Sequence, residues 1–188
     1  MKKKVLGIAA ALICLSMAAY GTLAYFTHED TVTNVITTGG VEIALEEFSK
    51  NEDGSLAPFK DVDNVMPGAE VSKIVQVKNT GNNSAWVRVS VSRSIALAEG
   101  VNGEADASLI LMDINTENWT ENNGYYYYNT ALEAGDTTEP LFTTVSFSPE
   151  MDNLYQYSRF NIEVTAQATQ TAHNGSTVFD AAGWPGEQ

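Results

Sequence analysis

The sequence predicts an all-β fold, a two-sheet antiparallel β-sandwich of jelly-roll type preceded by a cleaved signal peptide. Three observations predict it. Apolar residues recur with period two in several separate stretches, turn-forming clusters of Gly, Asn, Asp and Pro divide those stretches, and no long amphipathic helix follows the N-terminal segment. With 188 residues, 44% of them hydrophobic and 18% charged, the chain has the composition of a globular protein with one core.

The first element is an export signal. Lys2, Lys3 and Lys4 precede an apolar run over residues 5–20, and Gly21 and Thr22 break it. Thr22 and Ala24 are small residues at the minus-3 and minus-1 positions of a peptidase site, so cleavage is expected between Ala24 and Tyr25. The competing reading is an uncleaved anchor, because residues 5–26 could cross a bilayer. Three regions result: residues 1–24 as signal, 25–40 as an N-terminal segment, and 41–188 as the sandwich domain. Cleavage removes three lysines and no acid, taking the net charge from −14 to −17.

The strands follow in order. Val41, Ile43 and Leu45 alternate with Glu42, Ala44 and Glu46, and Ala85, Val87, Val89 and Val91 alternate with Trp86, Arg88, Ser90 and Ser92. The clearest case is Phe160, Ile162, Val164, Ala166 and Ala168, interleaved with polar residues. Each run predicts one buried and one solvated face. Residues 71–77, 141–147, 109–112 and 125–128 are further strand candidates. Turns are predicted at residues 51–55 and 79–83, and Pro67-Gly68 leads into the strand that starts at Val71. Ser148-Pro149-Glu150 reads as the start of a short helix, with Ser148 as its N-cap.

Catalytic chemistry is sparse. The single cysteine, Cys14, lies in the signal, which leaves no disulfide framework and no cysteine nucleophile in the folded part. His28 and His173 are the two histidines, and no His-Glu-x-x-His pair exists to hold zinc. Phosphate loops and nucleophile elbows are absent. Ten Lys and Arg against 24 Asp and Glu, with a pI near 4.3, argue against nucleic acid as a partner. The acids at Glu52-Asp53 and Asp61-x-Asp63-Asn64 match no EF-hand spacing and read as a solubilising surface. Trp119, residues 125–128 and Trp184 are either a sugar-stacking platform or, more simply, cross-strand packing.

Three stretches carry a resemblance. GTLAYFTHEDTVTNVITTGGVEIAL, residues 21–45, resembles the export signal and first strand of the TasA/camelysin family. MPGAEVSKIVQVKNTGNNSAWVRVSV, residues 66–91, is similar to that family's proline-glycine lead-in, lysine-bearing strand and asparagine-glycine turn. FNIEVTAQATQT, residues 160–171, resembles its late core strand.

The resemblance implies a secreted, non-enzymatic subunit of biofilm-matrix fibres, in the matrix or on the surface of a Gram-positive bacterium. It implies processing by a dedicated SipW-type signal peptidase and contact with the membrane only through the signal. The partner is a second copy, with other matrix proteins or polysaccharide as further candidates, and no cofactor or metal is expected. Assembly would proceed by donor-strand exchange of the freed N-terminal segment, carried here by Thr31, Val32, Asn34, Val35 and Ile36. The alternatives are a camelysin-type secreted metalloprotease and a monomeric surface adhesin or sugar-binding module.

Overall fold

Branched and aromatic residues, alternating with polar ones, set the strands, and Asn-, Gly- and Pro-bearing turns end them. The computed structural model describes residues 34–37, 40–62 and 65–186. The chain divides into two units, Met1–Thr31 and Val32–Gln188, and every described residue belongs to the second. Its strands are β1 (Asn34–Thr37), β2 (Ile43–Lys50), β3 (Leu56–Pro58), β4 (Glu70–Asn79) and β5 (Ala85–Ala96). They continue with β6 (Ile110–Met112), β7 (Trp119–Asn122), β8 (Tyr125–Tyr128), β9 (Phe142–Phe147) and β10 (Arg159–Gln170).

Two five-stranded sheets result, ordered β1-β10-β5-β8-β7 and β3-β2-β4-β9-β6. The longest ladder joins β10 to β5, from Arg159 opposite Ala96 to Gln170 opposite Ala85. Between the sheets lie Ile43 and Leu45 of β2, Val75 and Val77 of β4, and Val87 and Val89 of β5. Phe142, Val145 and Phe147 of β9 and Val164, Ala166 and Ala168 of β10 complete that core. Fully burying a Val or Phe side chain contributes roughly 1.5–3 kcal/mol, so this layer supplies most of the driving force for folding.

The turns show why the register holds. Met66-Pro67-Gly68-Ala69 closes with Ala69 N–H donating to Met66 O at 3.0 Å, and Gly68 takes the positive φ of 76° that such a turn demands of its third residue. Asn123 and Gly124, with φ of 51° and 80°, form the two-residue link between β7 and β8. Asn79 is fully buried and satisfied: its Nδ2 donates to Asn83 O and Leu132 O, and its Oδ1 accepts from Gly81 N–H.

The structure corrects the sequence reading in four places. The sandwich is mixed rather than purely antiparallel, because β1 runs parallel to β10. Strands β3 and β7, which have too few apolar residues for a period to register, are additional. Ser148 caps no helix: its Oγ accepts from Glu150 N–H at 3.2 Å, while Asp152 caps a single 3-10 turn at Asn153–Tyr155. Finally, the outer face of β5 and β10 is solvated at Ser92, Asn161 and Glu163 as expected, but at the other end Trp86, Arg88, Gln167 and Thr169 are all buried. The cause is residues 171–186, a strap that lays Val178, Ala181 and Trp184 over that face.

Candidate functional site

Of the residues expected to matter for export and assembly, Ala24, Tyr25, Thr31 and Val32 lie outside the described residues, as does His28. Asn34, Val35 and Ile36 form β1. That strand pairs in parallel with β10 in the register Asn34 opposite Thr165, Val35 opposite Ala166, Ile36 opposite Gln167 and Thr37 opposite Ala168. Val35 shares the core face with Ala166, whereas Ile36 lies on the outer face. They remain 37% and 47% exposed, against full burial of Ala166.

The four sheet edges among the described residues are protected unequally. β7 is an edge with Glu121 and Asn122 exposed, β3 ends in Pro58, and β6 has three residues. Charges, proline and brevity each discourage another strand from adding. β1 is short but carries neither charge nor proline, only Asn34-Val35-Ile36-Thr37.

Below β1 the core changes character. Phe160 and Ile162 are half-buried rather than sealed, and Phe160 meets Phe147 edge-on with centroids 5.0 Å apart. Next to the apolar layer sits a buried ion pair. Lys73 Nζ lies 2.9 Å from Glu47 Oε2 and 3.9 Å above the Phe59 ring. Lys73 follows Ser72 where β4 bulges against β9, which places three consecutive buried residues, Lys73, Ile74 and Val75, in one strand. Glu47 Oε1 is buried with no hydrogen-bond partner.

On the opposite face, the strap covers an aromatic nest around Arg88. The guanidinium stacks 3.9 Å from the Tyr125 ring centroid and 4.5 Å from that of Trp184. Its Nε donates to Gln167 Oε1 at 2.8 Å and Nη1 to Tyr127 Oη at 3.2 Å. The strap is fixed by Asn174, whose Nδ2 donates to Gln170 O and Ala182 O and whose Oδ1 accepts from Ala182 N–H. His173 sits beside it with φ of 58°, in a turn.

The aromatics singled out in the sequence are therefore packing residues. Trp119 is buried against Tyr128 at 5.1 Å and donates from Nε1 to Glu139 O at 3.0 Å. Burial and the neighbouring Glu139 carboxylate push the Tyr128 hydroxyl above its ordinary pKa. The hydrogen bond Tyr128 donates holds Glu139 below its own. Asp53 binds Ser55 through both Ser55 N–H (2.9 Å) and Oγ (2.6 Å), which closes the turn between β2 and β3. Among the described residues, no group of three or more His, Cys, Asp or Glu is placed to hold a metal ion.

The family model described as camelysin metallo-endopeptidase matches residues 1–110, more than half the chain. The chain belongs to the camelysin family. TasA-type proteins are included in that family. In this camelysin-family chain, the matched stretch runs from the N-terminus through β5 to the first residue of β6. No curated protein matches the chain, and no solved structure does. The metal that the family description implies finds no fitting donor set among the described residues.

Proposed function

We propose that the chain is a secreted structural subunit of extracellular biofilm-matrix fibres, assembling as a homopolymer by exchange of its freed N-terminal segment. The observation that carries this reading is β1. It is a four-residue parallel edge strand with two exposed apolar side chains, placed directly after the segment that signal cleavage would free. A strand of this kind is held by few interactions and can be replaced by the same strand of a neighbour, through backbone hydrogen bonds and side-chain pockets. Family membership and the all-β sandwich support the same reading. The chain passes between sheets at β1 to β2, β4 to β5, β5 to β6, β6 to β7, β8 to β9 and β9 to β10, a connectivity that we read as jelly-roll.

On this reading the signal is cut after Ala24 by a SipW-type peptidase, and the product acts outside a Gram-positive cell. Electron microscopy of the mature protein is expected to show filaments, and Ile36→Asp or deletion of residues 25–36 to leave folded monomers. Normal filaments from the deletion protein would sink the exchange mechanism. Metallo-endopeptidase activity is the second reading, favoured by the family description. Stoichiometric metal in the mature protein, together with casein cleavage that a chelator abolishes, would establish it instead. A sugar-stacking platform has less support, because Trp119 and Trp184 are buried.

A further inference from the structure

We infer that Asn174-Gly175 is a latent modification site, shielded while the strap is closed, whose deamidation makes strap opening one-way. This rests on neither the fibre reading nor the metallo-endopeptidase reading.

The chain contains three Asn-Gly pairs, Asn102-Gly103, Asn123-Gly124 and Asn174-Gly175. Such a pair is prone to one reaction, because a glycine has no Cβ to hinder its backbone nitrogen. That nitrogen gives up its proton to solvent and attacks the asparagine Cγ, forming a new C–N bond. The Cγ–Nδ2 bond breaks, ammonia leaves, and a five-membered cyclic imide results. Water then opens the imide at either carbonyl, leaving aspartate or isoaspartate, so one water is consumed and one ammonia released. The two groups are neighbours in the chain, and what limits the reaction is their freedom to reach the attacking geometry.

That freedom differs among the three pairs. Asn102 and Asn123 are exposed, and so are their glycines. Asn174 is half-buried, and both polar atoms of its side chain are held. Nδ2 donates to Gln170 O and Ala182 O at 2.9 Å each and to Thr169 Oγ1 at 3.2 Å, while Oδ1 accepts from Ala182 N–H at 2.8 Å. Its backbone is held as well, since its N–H donates to Thr171 O at 3.1 Å and its O accepts from Trp86 Nε1 at 2.9 Å. The amide cannot turn toward the Gly175 nitrogen until the strap lifts and those bonds break.

Packing also dictates the glycine. Gly175 has φ of 75°, and a Cβ there would lie 2.8 Å from the Asp180 carbonyl carbon and 3.0 Å from Ala181 N. The tight return of the strap therefore builds in the reactive pair that the closed strap protects. Once converted, position 174 presents oxygens and no side-chain N–H. Gln170 O and Ala182 O each lose a donor and face an acceptor instead, and an isoaspartyl link lengthens the backbone by one methylene. A reversible opening becomes permanent, and Trp86, Arg88 and Gln167 stay uncovered.

The test is peptide mapping of the protein lacking its signal, residues 25–188, aged at mildly alkaline pH beside Trp184→Ala. In the wild type, position 123 should convert while position 174 stays intact. In Trp184→Ala, conversion at 174 should rise at least about tenfold, because it follows the open population of the strap. Conversion at 123 should keep its wild-type rate, which shows that the variant still folds its β7–β8 hairpin. Equal conversion at 174 and 123 in the wild type, or no acceleration at 174 in Trp184→Ala, overturns the shielding. Asn174→Asp reads the second half independently of how Trp184→Ala folds. With β4 and β9 amides still protected from hydrogen exchange, it should expose Trp86 and Trp184 to a fluorescence quencher. Wild-type quenching in that folded variant overturns the one-way opening.

Discussion

Lys73 and Glu47 carry opposite charges in a place where water cannot solvate either, and each is tolerable only because of the other. Removing one partner of a buried pair typically costs about 3–5 kcal/mol, whereas replacing both with apolar residues is often neutral. Lys73→Met is therefore expected to lower the urea midpoint sharply, and Lys73→Met/Glu47→Leu to recover most of the loss. A single variant within about 0.5 kcal/mol of wild type, the range of ordinary surface changes, would refute the coupling. Asp113 makes a different, pH-dependent contribution. Burial pushes its pKa up most, but the Thr143 hydroxyl and the N–H groups of Thr143 and Thr144 together outweigh that and leave it below the ordinary 3.8. Those three donors lie 2.5, 2.8 and 2.7 Å away. Because the folded-state pKa is depressed, the stabilisation is fully present above the unfolded value near 4 and is lost as pH falls through the lower folded value. Asp113→Asn should lower stability at pH 7 and flatten the acid limb of a stability–pH curve between about 2 and 5. An unchanged acid limb would show that Asp113 is not among the groups that set it.

At the scale of elements, the strap over residues 171–186 anchors the outer face of one sheet. Trp184 is its main anchor, packed on Arg88 and at 5.8 Å from Tyr127. Trp184→Ala is expected to cost about 3–5 kcal/mol, as for other large-to-small core changes, and to raise the exposure of Trp86 to a fluorescence quencher. Loss of less than about 1 kcal/mol would mean that the strap only rests on the sheet. The sequence revealed what strands do alone and missed what other segments do to them. Period two located β10, β5, β4 and β2, because each presents its apolar residues to one layer. The same alternation marked Trp86 and Arg88 as solvated, and only the strap, with no period of its own, overrides it. β7 was detectable through Asn123-Gly124, a hairpin signal stronger than its single apolar residue. Position and composition set residues 31–36 apart in the sequence, and of these Asn34, Val35 and Ile36 lie in β1, paired with β10 of their own domain. Local sequence cannot reveal the Lys73–Glu47 pair or the nest around Arg88, because their partners lie 26 to 96 positions away in the chain.

For the whole molecule, charge and fold stability respond to acid at different points. Ten basic residues face 24 acidic ones, so copies repel at neutral pH whatever surface they use to meet, and signal cleavage would deepen the imbalance. This repulsion acts over a Debye length of about 10 Å at 0.1 M salt and is weakened both by added salt and by protonation. Exposed carboxylates begin to take protons around their ordinary values near 4, so the charge falls substantially between pH 5 and 4. Asp113, Asp53 and Asp106 hold their protons off to lower pH because their hydrogen-bonded environments favour the ionised form. Acidification therefore relieves repulsion between copies before it removes these supports of the fold. If the chain polymerises, light scattering should show assembly faster at pH 4.5 than at pH 8 in low salt, with the difference shrinking at about 1 M salt as screening replaces protonation. A native circular-dichroism spectrum at pH 4.5 should accompany the faster rate. Equal rates at both pH values and both salt levels would exclude charge as the brake on assembly, and a molten spectrum at pH 4.5 would attribute the acceleration to unfolding instead.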